Sequence, residues 1–497
     1  MPAATIDADV IVVGGGGTGL AAAATAARLG RKVILIEKNA ALGGSTAWSV
    51  GSISVNRSPH QKRAGITDSP DEHFEDLILL AGTKANRDNP ALRRILVDNI
   101  SETFDWLLST GLVFTGPALE PPHRYPRMHN VLPNSRAFPH YLGRHCRALG
   151  VDIRTSVVAE QIVRDGDRAS SVIARGPGGQ TLQFRARHGI VLATGDYSGD
   201  RELKAQLATE TAAKTSAVNV TNTGDGHRLA LALGASIVNG DIVHGPRLRF
   251  VSPVKPSLIR RLPANSLIAH AAKFAAEKLP AALLRPFLMS FVTTALGVEA
   301  NLYKHGAILV NARGERFTDE LGAPQDALPD QPDQVAYAIL DGTIAETFSR
   351  WPNFVSTAPG VAYAYIDDYR RNRRDIFHEA PTPEALAARI NVPPLQLAQT
   401  LAASSKLKQP PYIALGPIKP YVVLTDGGLR VTEQLEVIGA DGAPIPGLYA
   451  AGATGQGGLL LYGHGHHLGW AFVSGRIAGR NAALNGASTQ ALGKALV

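Results

Sequence analysis

Cysteine is nearly absent: Cys146 is the single one in 497 residues, which excludes a disulfide framework and any zinc site built on thiolates. Long apolar runs are missing as well. No uncharged stretch approaches the ~20 residues that span a bilayer. The chain enters a strand within its first ten residues, leaving no room for a signal or transit peptide, so a cytoplasmic protein is expected. Acidic residues are scarcer than basic ones, 42 against 50, for a net charge of +8. The surplus is local, since residues 247–285 hold eight Lys/Arg and one acid, Glu277. That segment lacks the aromatic interleaving of a single-strand binder, and no nucleic-acid partner is expected. Two readings of it stay open. One is a basic amphipathic surface making peripheral contact with a membrane or a partner. The other is a solvated helical face whose Lys and Arg stems cover apolar neighbours. There is no internal repeat and no low-complexity tail.

Glycine, by contrast, is abundant, with 50 residues. Asp9-Val10-Ile11-Val12-Val13 is short, β-branched and without polar alternation, the pattern of a buried parallel strand. It runs into Gly14-Gly15-Gly16-Gly17-Thr18-Gly19, an Ala-rich helical run over 20–29, a turn at Gly30-Arg31-Lys32, and a second apolar strand, 33–36, ending on Glu37. Strand, G-x-G-x-x-G, helix, strand and acid in one unit is a dinucleotide-binding fingerprint. Gly14 allows the tight turn, Gly16 lets the backbone approach a pyrophosphate, and Gly19 lets helix and strand pack closely. The helix N-terminus, with Gly17 and Thr18, offers free amides and a dipole to phosphate. Glu37 would accept from the ribose hydroxyls. This unit alone fits NAD as readily as FAD.

At 497 residues, 45% apolar and 19% charged, the chain should hold about two or three globular domains. Residues 38–54, with Leu42-Gly43-Gly44-Ser45-Thr46 and Gly51, read as a small-residue loop built for close backbone approach. Helices are expected over 71–81 and 90–110, irregular structure over 116–140, and a small β-meander at 151–153, 156–163, 170–174 and 181–184. A buried strand returns at 190–193, followed by Thr194-Gly195-Asp196, and residues 222–226 open a helix through Leu233. Residues 241–423 differ in texture, with many prolines, a strand at 307–311, and helices near 334–340 and 383–390. They read as an inserted domain between a first part, 1–240, and a second, 424–497, which closes on a helix over 470–483.

Residues 9–46, 190–196, 222–226 and 447–483 together resemble the flavin domain of the fumarate reductase / 3-ketosteroid dehydrogenase superfamily. Specific signs are Pro446-Gly447-Leu448-Tyr449-Ala450-Ala451-Gly452 and Gly475-Arg476-Ile477-Ala478-Gly479-Arg480. A third is Gly306-Ala307-Ile308-Leu309-Val310-Asn311 followed by Gly314-Glu315-Arg316-Phe317. The resemblance implies an α/β fold, a Rossmann-like FAD-binding domain with an inserted α+β capping (substrate) domain that closes over the isoalloxazine. It implies that Glu37 holds the ribose, and Gly43, Gly44, Ser45 and Thr46 the pyrophosphate and flavin edge. Val158 would contact the adenine side, Asp225 the ribityl region, and Gly452, Ala453, His467 and Leu468 the isoalloxazine. Lys38, Thr194 and Gly195 complete the cofactor set. A helix starting near Trp470 would aim its amides at the flavin pyrimidine ring and stabilise negative charge on the reduced cofactor.

Departures from the family pattern point to the substrate. Soluble fumarate reductases resemble one another in a proton-donating Arg within a phrase like T-T-R-D; here it reads Leu321-Gly322-Ala323-Pro324-Gln325-Asp326. Their carboxylate clamp, a His before T-x-G-G and an Arg ahead of G-R-I-A-G, is replaced by Leu424 and Tyr462. The position ahead of G-A-I-L-V-N holds Tyr303. Burying a dicarboxylate beside Leu424 and Tyr462 without a cation would be costly. Paired tyrosines are similar to the ketosteroid dehydrogenase branch, in which one Tyr bonds the substrate carbonyl and another takes the α-proton while the β-hydride goes to flavin N5. The expectation is an FAD-dependent dehydrogenase that desaturates an apolar cyclic or steroid-like ketone at its α,β carbons and passes electrons to an acceptor. Tyr462 would be the carbonyl donor and Tyr303 the base, its pKa lowered by Lys304 or His305; a buried Tyr303 with a satisfied hydroxyl is the competing reading. Alternatives are an ene-reductase running the reverse reaction on an enone, and a membrane-docked electron-transfer flavoprotein. Leu424, His464 and His466 are candidate substrate-binding residues. His464, His466 and His467 lack a nearby carboxylate or Cys set with ligand spacing, so no metal site is expected. His123, Tyr125, Arg127 and His129 read as a pocket wall or a surface loop.

Overall fold

A computed structural model describes residues 5–253, 257–358 and 362–485. Its apolar strands pair as their pattern demands. Thr5–Val13 lies between Val33–Glu37 and Thr181–Leu192, parallel to both. The sheet continues through Asp152–Thr155 on one side and through Pro444–Ala450 and Glu436–Ile438 on the other. Val10, Ile11, Val12, Ile34, Leu35, Ile190 and Val191 have no exposed surface, as expected of a parallel sheet covered on both faces. Helix Gly17–Arg28 packs on the terminal helix His466–Leu484. Glycine sets that approach: a Cβ on Gly475 would lie 2.4 Å from the Thr18 carbonyl oxygen, and one on Gly479 2.2 Å from that of Ala22. The terminal helix therefore begins earlier than expected, at His466, because its glycines are packing positions and not breaks.

Other expectations change where pairing is remote in sequence. Residues 334–340 were expected to be helical, but Ala336–Leu340 is a strand held between Ile308–Asn311 and Tyr412–Tyr421; partners on both edges outweigh local preference. Residues 116–140 are not irregular. Val113–Ala118 and Met128–Leu132 form a small sheet with Ser52–Ser54, and helix Ala137–Ala148 follows. Asp152–Thr155 leaves the expected meander to extend the parallel sheet, while Thr181–Leu192 is one strand shared by both.

A second core runs from Phe250 to Ile418. It belongs to the capping domain, an antiparallel sheet of Arg247–Phe250, Tyr412–Tyr421, Ala336–Leu340, Ile308–Asn311 and Phe377–Ala380 with flanking helices. The chain leaves the flavin domain and returns to it on adjacent strands. Ile237–Val238 pairs with Gly428–Leu429, and Val243–His244 with Leu424–Thr425, both antiparallel.

The Pro, His and Arg stretch is neither a pocket wall nor a surface loop but a buried polar cluster. The Arg127 side chain has no exposed surface and bonds Asp68 at 2.6 Å and Asp76 at 2.5 Å. Its Nη1 also donates to His123 Nδ1, His129 Nε2 meets Ser58 Oγ, and Tyr125 donates to Glu72. Arg127→Met would leave the buried Asp68 without its cation and Asp76 with Arg124 alone, so a loss of about 3–5 kcal/mol is expected in urea denaturation. A loss below about 1 kcal/mol would mean that water already reaches the cluster.

Candidate active site

Open parallel sheets bind ligands beyond the carboxyl ends of their strands. Here those ends deliver Gly14, Glu37, Thr194, Gly195 and Gly452. Gly14 has φ +110°, and a Cβ there would lie 2.3 Å from the Ala193 carbonyl oxygen; at Gly19 it would lie 1.8 Å from that of Gly14. At Gly16 the nearest atom to such a Cβ is 3.9 Å away, which leaves an open cradle. Gly43 N donates to Gly15 O at 2.9 Å and Gly17 N to Thr46 Oγ1 at 3.1 Å, seating the second glycine loop, with Gly44, beside the first. Several other helices are capped by side chains, as at Ser69, Asn89 and Thr382. Gly16 and Gly465, at the starts of Gly17–Arg28 and His466–Leu484, supply none. Uncapped amides suit a pyrophosphate at the first helix and an electron-rich ring at the second.

Glu37 accepts from Gly15 N and Asn39 N, both at 2.7 Å, and still has lone pairs for ribose hydroxyls. Val158 lies one residue beyond Val157, whose amide donates to the Glu37 carbonyl. Lys38 Nζ pairs with Asp225 at 2.8 Å, with Thr223 against both. Thr194 Oγ1 accepts from Gly226 N at 2.9 Å, and Thr454 Oγ1 donates to Gly195 O at 2.8 Å. Gly452 N donates to Ser474 Oγ at 2.8 Å, its carbonyl accepts from Trp470 Nε1 at 3.1 Å, and Ala453 follows it. Ser45 Oγ accepts from Asn219 and Asn222, and Asn222 donates to Asp196, whose other oxygen accepts from Thr425 N. Burial pushes the Asp196 carboxyl up.

A second group sits on the ribbon joining the domains. His244 and Leu424 are cross-strand neighbours. His244 Nε2 lies 2.8 Å from Asp426 Oδ2, and its ring centroid is 5.2 Å from that of Tyr462 and 6.3 Å from that of His467. Gln456 Nε2 donates to the other Asp426 oxygen at 3.0 Å. Burial raises the Asp426 carboxyl, but the bond and charge of His244, with help from His467 and Gln456, outweigh it and hold the group below the usual carboxylate range. An ionised Asp426 only accepts, which assigns the proton of that bond to His244 Nε2 and leaves Nδ1 as the exchangeable position. Burial takes His467 down to about 4, so it is neutral at physiological pH. Leu468 follows in the first turn of the helix.

The remaining candidates disperse. His464 is exposed and paired with Glu120, which raises its pKa; it faces the surface and not the group around His244. His466 is buried behind Tyr462, donating from Nδ1 to the Tyr462 carbonyl at 2.7 Å, with Nε2 3.2 Å from His73 Nε2. It holds the loop that carries Tyr462. Tyr303 lies in the cap core, 8% exposed, beside Leu302 and Leu309. Burial, reinforced by Glu320, pushes its phenol well above the tyrosine range. Lys304 and His305 do not lower it; His305 bonds the Asn301 carbonyl and packs on Phe348. Sequence reasoning missed His244, which stands 182 residues from Asp426, and it missed Asn219. Among the described residues, no group of His, Cys, Asp and Glu could hold a metal ion.

A parallel sheet with two glycine loops at its carboxyl ends, a cap, and an acid–base pair in the joining ribbon define a flavin-dependent oxidoreductase. The chain belongs to the FAD binding domain family, which it matches over residues 9–253 and 261–463, and its cofactor is FAD. It is 28% identical to a vinyl phenol reductase of Lactiplantibacillus plantarum over 96% of each chain. It is 26% identical to a urocanate reductase of Eggerthella lenta over 96% of this chain and 75% of that one. The open conformation of a flavocytochrome c3 fumarate reductase superposes with TM-score 0.72 at 23% identity, covering 97% of this chain and 79% of that one. A 3-ketosteroid-delta4-(5alpha)-dehydrogenase from Rhodococcus jostii RHA1 does so with TM-score 0.58 at 23% identity, covering 96% and 97%. Both share the fold.

Burial also sets a pH response. His129 and His466 are held down to about 3, and His227 and His467 to about 4, against about 6.5 in the unfolded chain. Between those values the unfolded chain binds more protons, so stability is lost as pH falls below about 6.5. The urea midpoint is expected to drop from pH 7 to pH 5, and to drop less steeply in His466→Gln. An unchanged slope in that variant would mean that His466 is already charged in the fold.

Proposed function

We propose that the protein reduces a carbon–carbon double bond conjugated to a neutral, hydrogen-bond-accepting group, with His244 moving the proton and Tyr462 holding the acceptor. The His244–Asp426 bond at 2.8 Å beside the Tyr462 ring carries this reading. FAD, when bound and reduced by an external electron donor, would supply the hydride at N5. Asp426 fixes the His244 tautomer and stabilises the imidazolium. His244 can then give a proton to the α-carbon, or take it in the reverse direction. Tyr462 offers a neutral donor to the oxygen on which charge develops, which favours the transition state over the ground state. Leu424 and the neutral His467 line the same end, where Asp426 is the standing charge. A substrate carboxylate there would meet the like charge of Asp426.

The name of the vinyl phenol relative supports a neutral substrate, and both relatives named above support reduction. Run in reverse, the same residues would desaturate an apolar ketone, steroid-like or not, and would need an electron acceptor. His244 and not Tyr303 would then be the base.

Anaerobic mixing of the reduced enzyme with vinyl phenols, cyclic enones, fumarate and urocanate, followed through flavin absorbance, tests the reading. Neutral compounds are expected to reoxidise the flavin at least about a hundredfold faster than the carboxylates, since an unpaired buried charge costs several kcal/mol. Reoxidation by fumarate or urocanate alone would overturn the proposal. His244→Gln should slow substrate-dependent reoxidation by about 10²–10⁴ without altering flavin content. Tyr303→Phe should stay near the parent rate.

A further inference from the structure

The basic stretch at 247–285 takes a definite form on the surface, apart from Lys255, which lies outside the described residues. Helix Ser266–Lys278 crosses strands Val113–Ala118 and Met128–Leu132 of the small sheet, with Ala269 turned inward and fully buried. Its opposite face is apolar and uncovered. Leu267 is 79% exposed and Phe274 63%, two turns apart on one stripe with Ala271 and Lys278. Leu262, Leu279 and Leu283 extend the exposed apolar surface on either side. Trp48 is 59% exposed, and Arg260 Nη2 donates to its carbonyl at 3.3 Å. Asn134 ties the turn to the flavin domain by donating to the Ile259 and Leu262 carbonyls.

A solvated helix would turn Leu267 and Phe274 inward and its charges outward. Here large apolar side chains and cations share the outer face, against a single acid, Glu277, in the whole stretch. We propose that this face docks the enzyme on an anionic lipid bilayer. Leucine, phenylalanine and tryptophan enter the headgroup and acyl boundary, while Arg261, Lys278 and their neighbours meet the lipid phosphates. Among the described residues no helix is long and apolar enough to cross a membrane, so this contact lies along the bilayer surface.

The geometry also links the face to the site. The small sheet beneath the helix includes Ser52–Ser54, and Ser54 Oγ donates to the His464 carbonyl at 2.7 Å, next to the Gly465 cap of the terminal helix. Docking would place lipid beside that end of the flavin cleft, a short path for an apolar substrate dissolved in the bilayer. That path rests on the neutral-substrate reading; the docking does not.

Cosedimentation of the full-length holoenzyme with phosphatidylcholine vesicles, with and without phosphatidylglycerol, tests the docking directly. Binding is expected to be at least about tenfold stronger on the anionic vesicles at low salt, and to vanish near 0.5 M salt. The paired changes Leu267→Glu with Phe274→Glu, and Arg261→Glu with Lys278→Glu, should each cut it about tenfold with unchanged flavin content. Equal binding to neutral and anionic vesicles, or full binding by either variant, would refute the proposal. So would sedimentation velocity showing that Leu267→Glu with Phe274→Glu splits a dimer while no form of the protein binds vesicles, since the face would then join two copies of the chain.

Discussion

Helix Gly17–Arg28 lies so close to its surroundings that Gly19, Gly475 and Gly479 have no room for a side chain, while Gly14, in the turn before it, is closed off by the Ala193 carbonyl. The contact with the first strand aims the helix start at the carboxyl end of the sheet. Contact with the terminal helix fixes that helix along its length, and with it the His466 end. Everything near the flavin follows from these two approaches. The Gly43 loop bonds the Gly15 carbonyl, Gly452 sits over Thr18, and the Tyr462 carbonyl is held by the first residue of the terminal helix. A methyl group at any of the four glycines would push apart elements that define the cleft.

Local patterns were the most legible part of the chain. The fingerprint at 9–37, the helices behind Ser69 and Asn89, and the glycine-dense return near 447–452 each carry their signal within a few residues. Ala336–Leu340 and Met128–Leu132 do not, because their partners lie far along the chain and pairing decides their state. The same distance explains His244, a lone histidine in sequence whose meaning comes only from Asp426 across a ribbon. Tyr303 raises a different point. A position matched by resemblance carries no information on burial, and burial fixes what a phenol can do. The inward turn of His466 belongs to the first turn of a helix that starts there, a boundary that the glycines concealed, whereas His464 lies ahead of the Gly465 cap and is held outward by Glu120.

Charge is distributed with economy inside the flavin domain. Most buried imidazoles are kept neutral, whereas Asp426 is kept ionised by the one histidine facing it across the ribbon. Asp196 connects the cofactor loop to the same ribbon, since it accepts from Asn222, which holds Ser45, and from the amide of Thr425. One carboxylate thereby joins the Ser45 loop to the residue next to Asp426 through hydrogen bonds.

The ribbon has a further meaning. The strands that leave and rejoin the flavin domain, Val243–His244 and Leu424–Thr425, lie side by side, about 5 Å apart as strands pair. A whole cap can therefore be gained, lost or exchanged across a gap no wider than a hairpin. Recombination could graft a new substrate chamber onto an unchanged redox engine. With it would go only the histidine on one side of the seam, while its carboxylate partner stays behind.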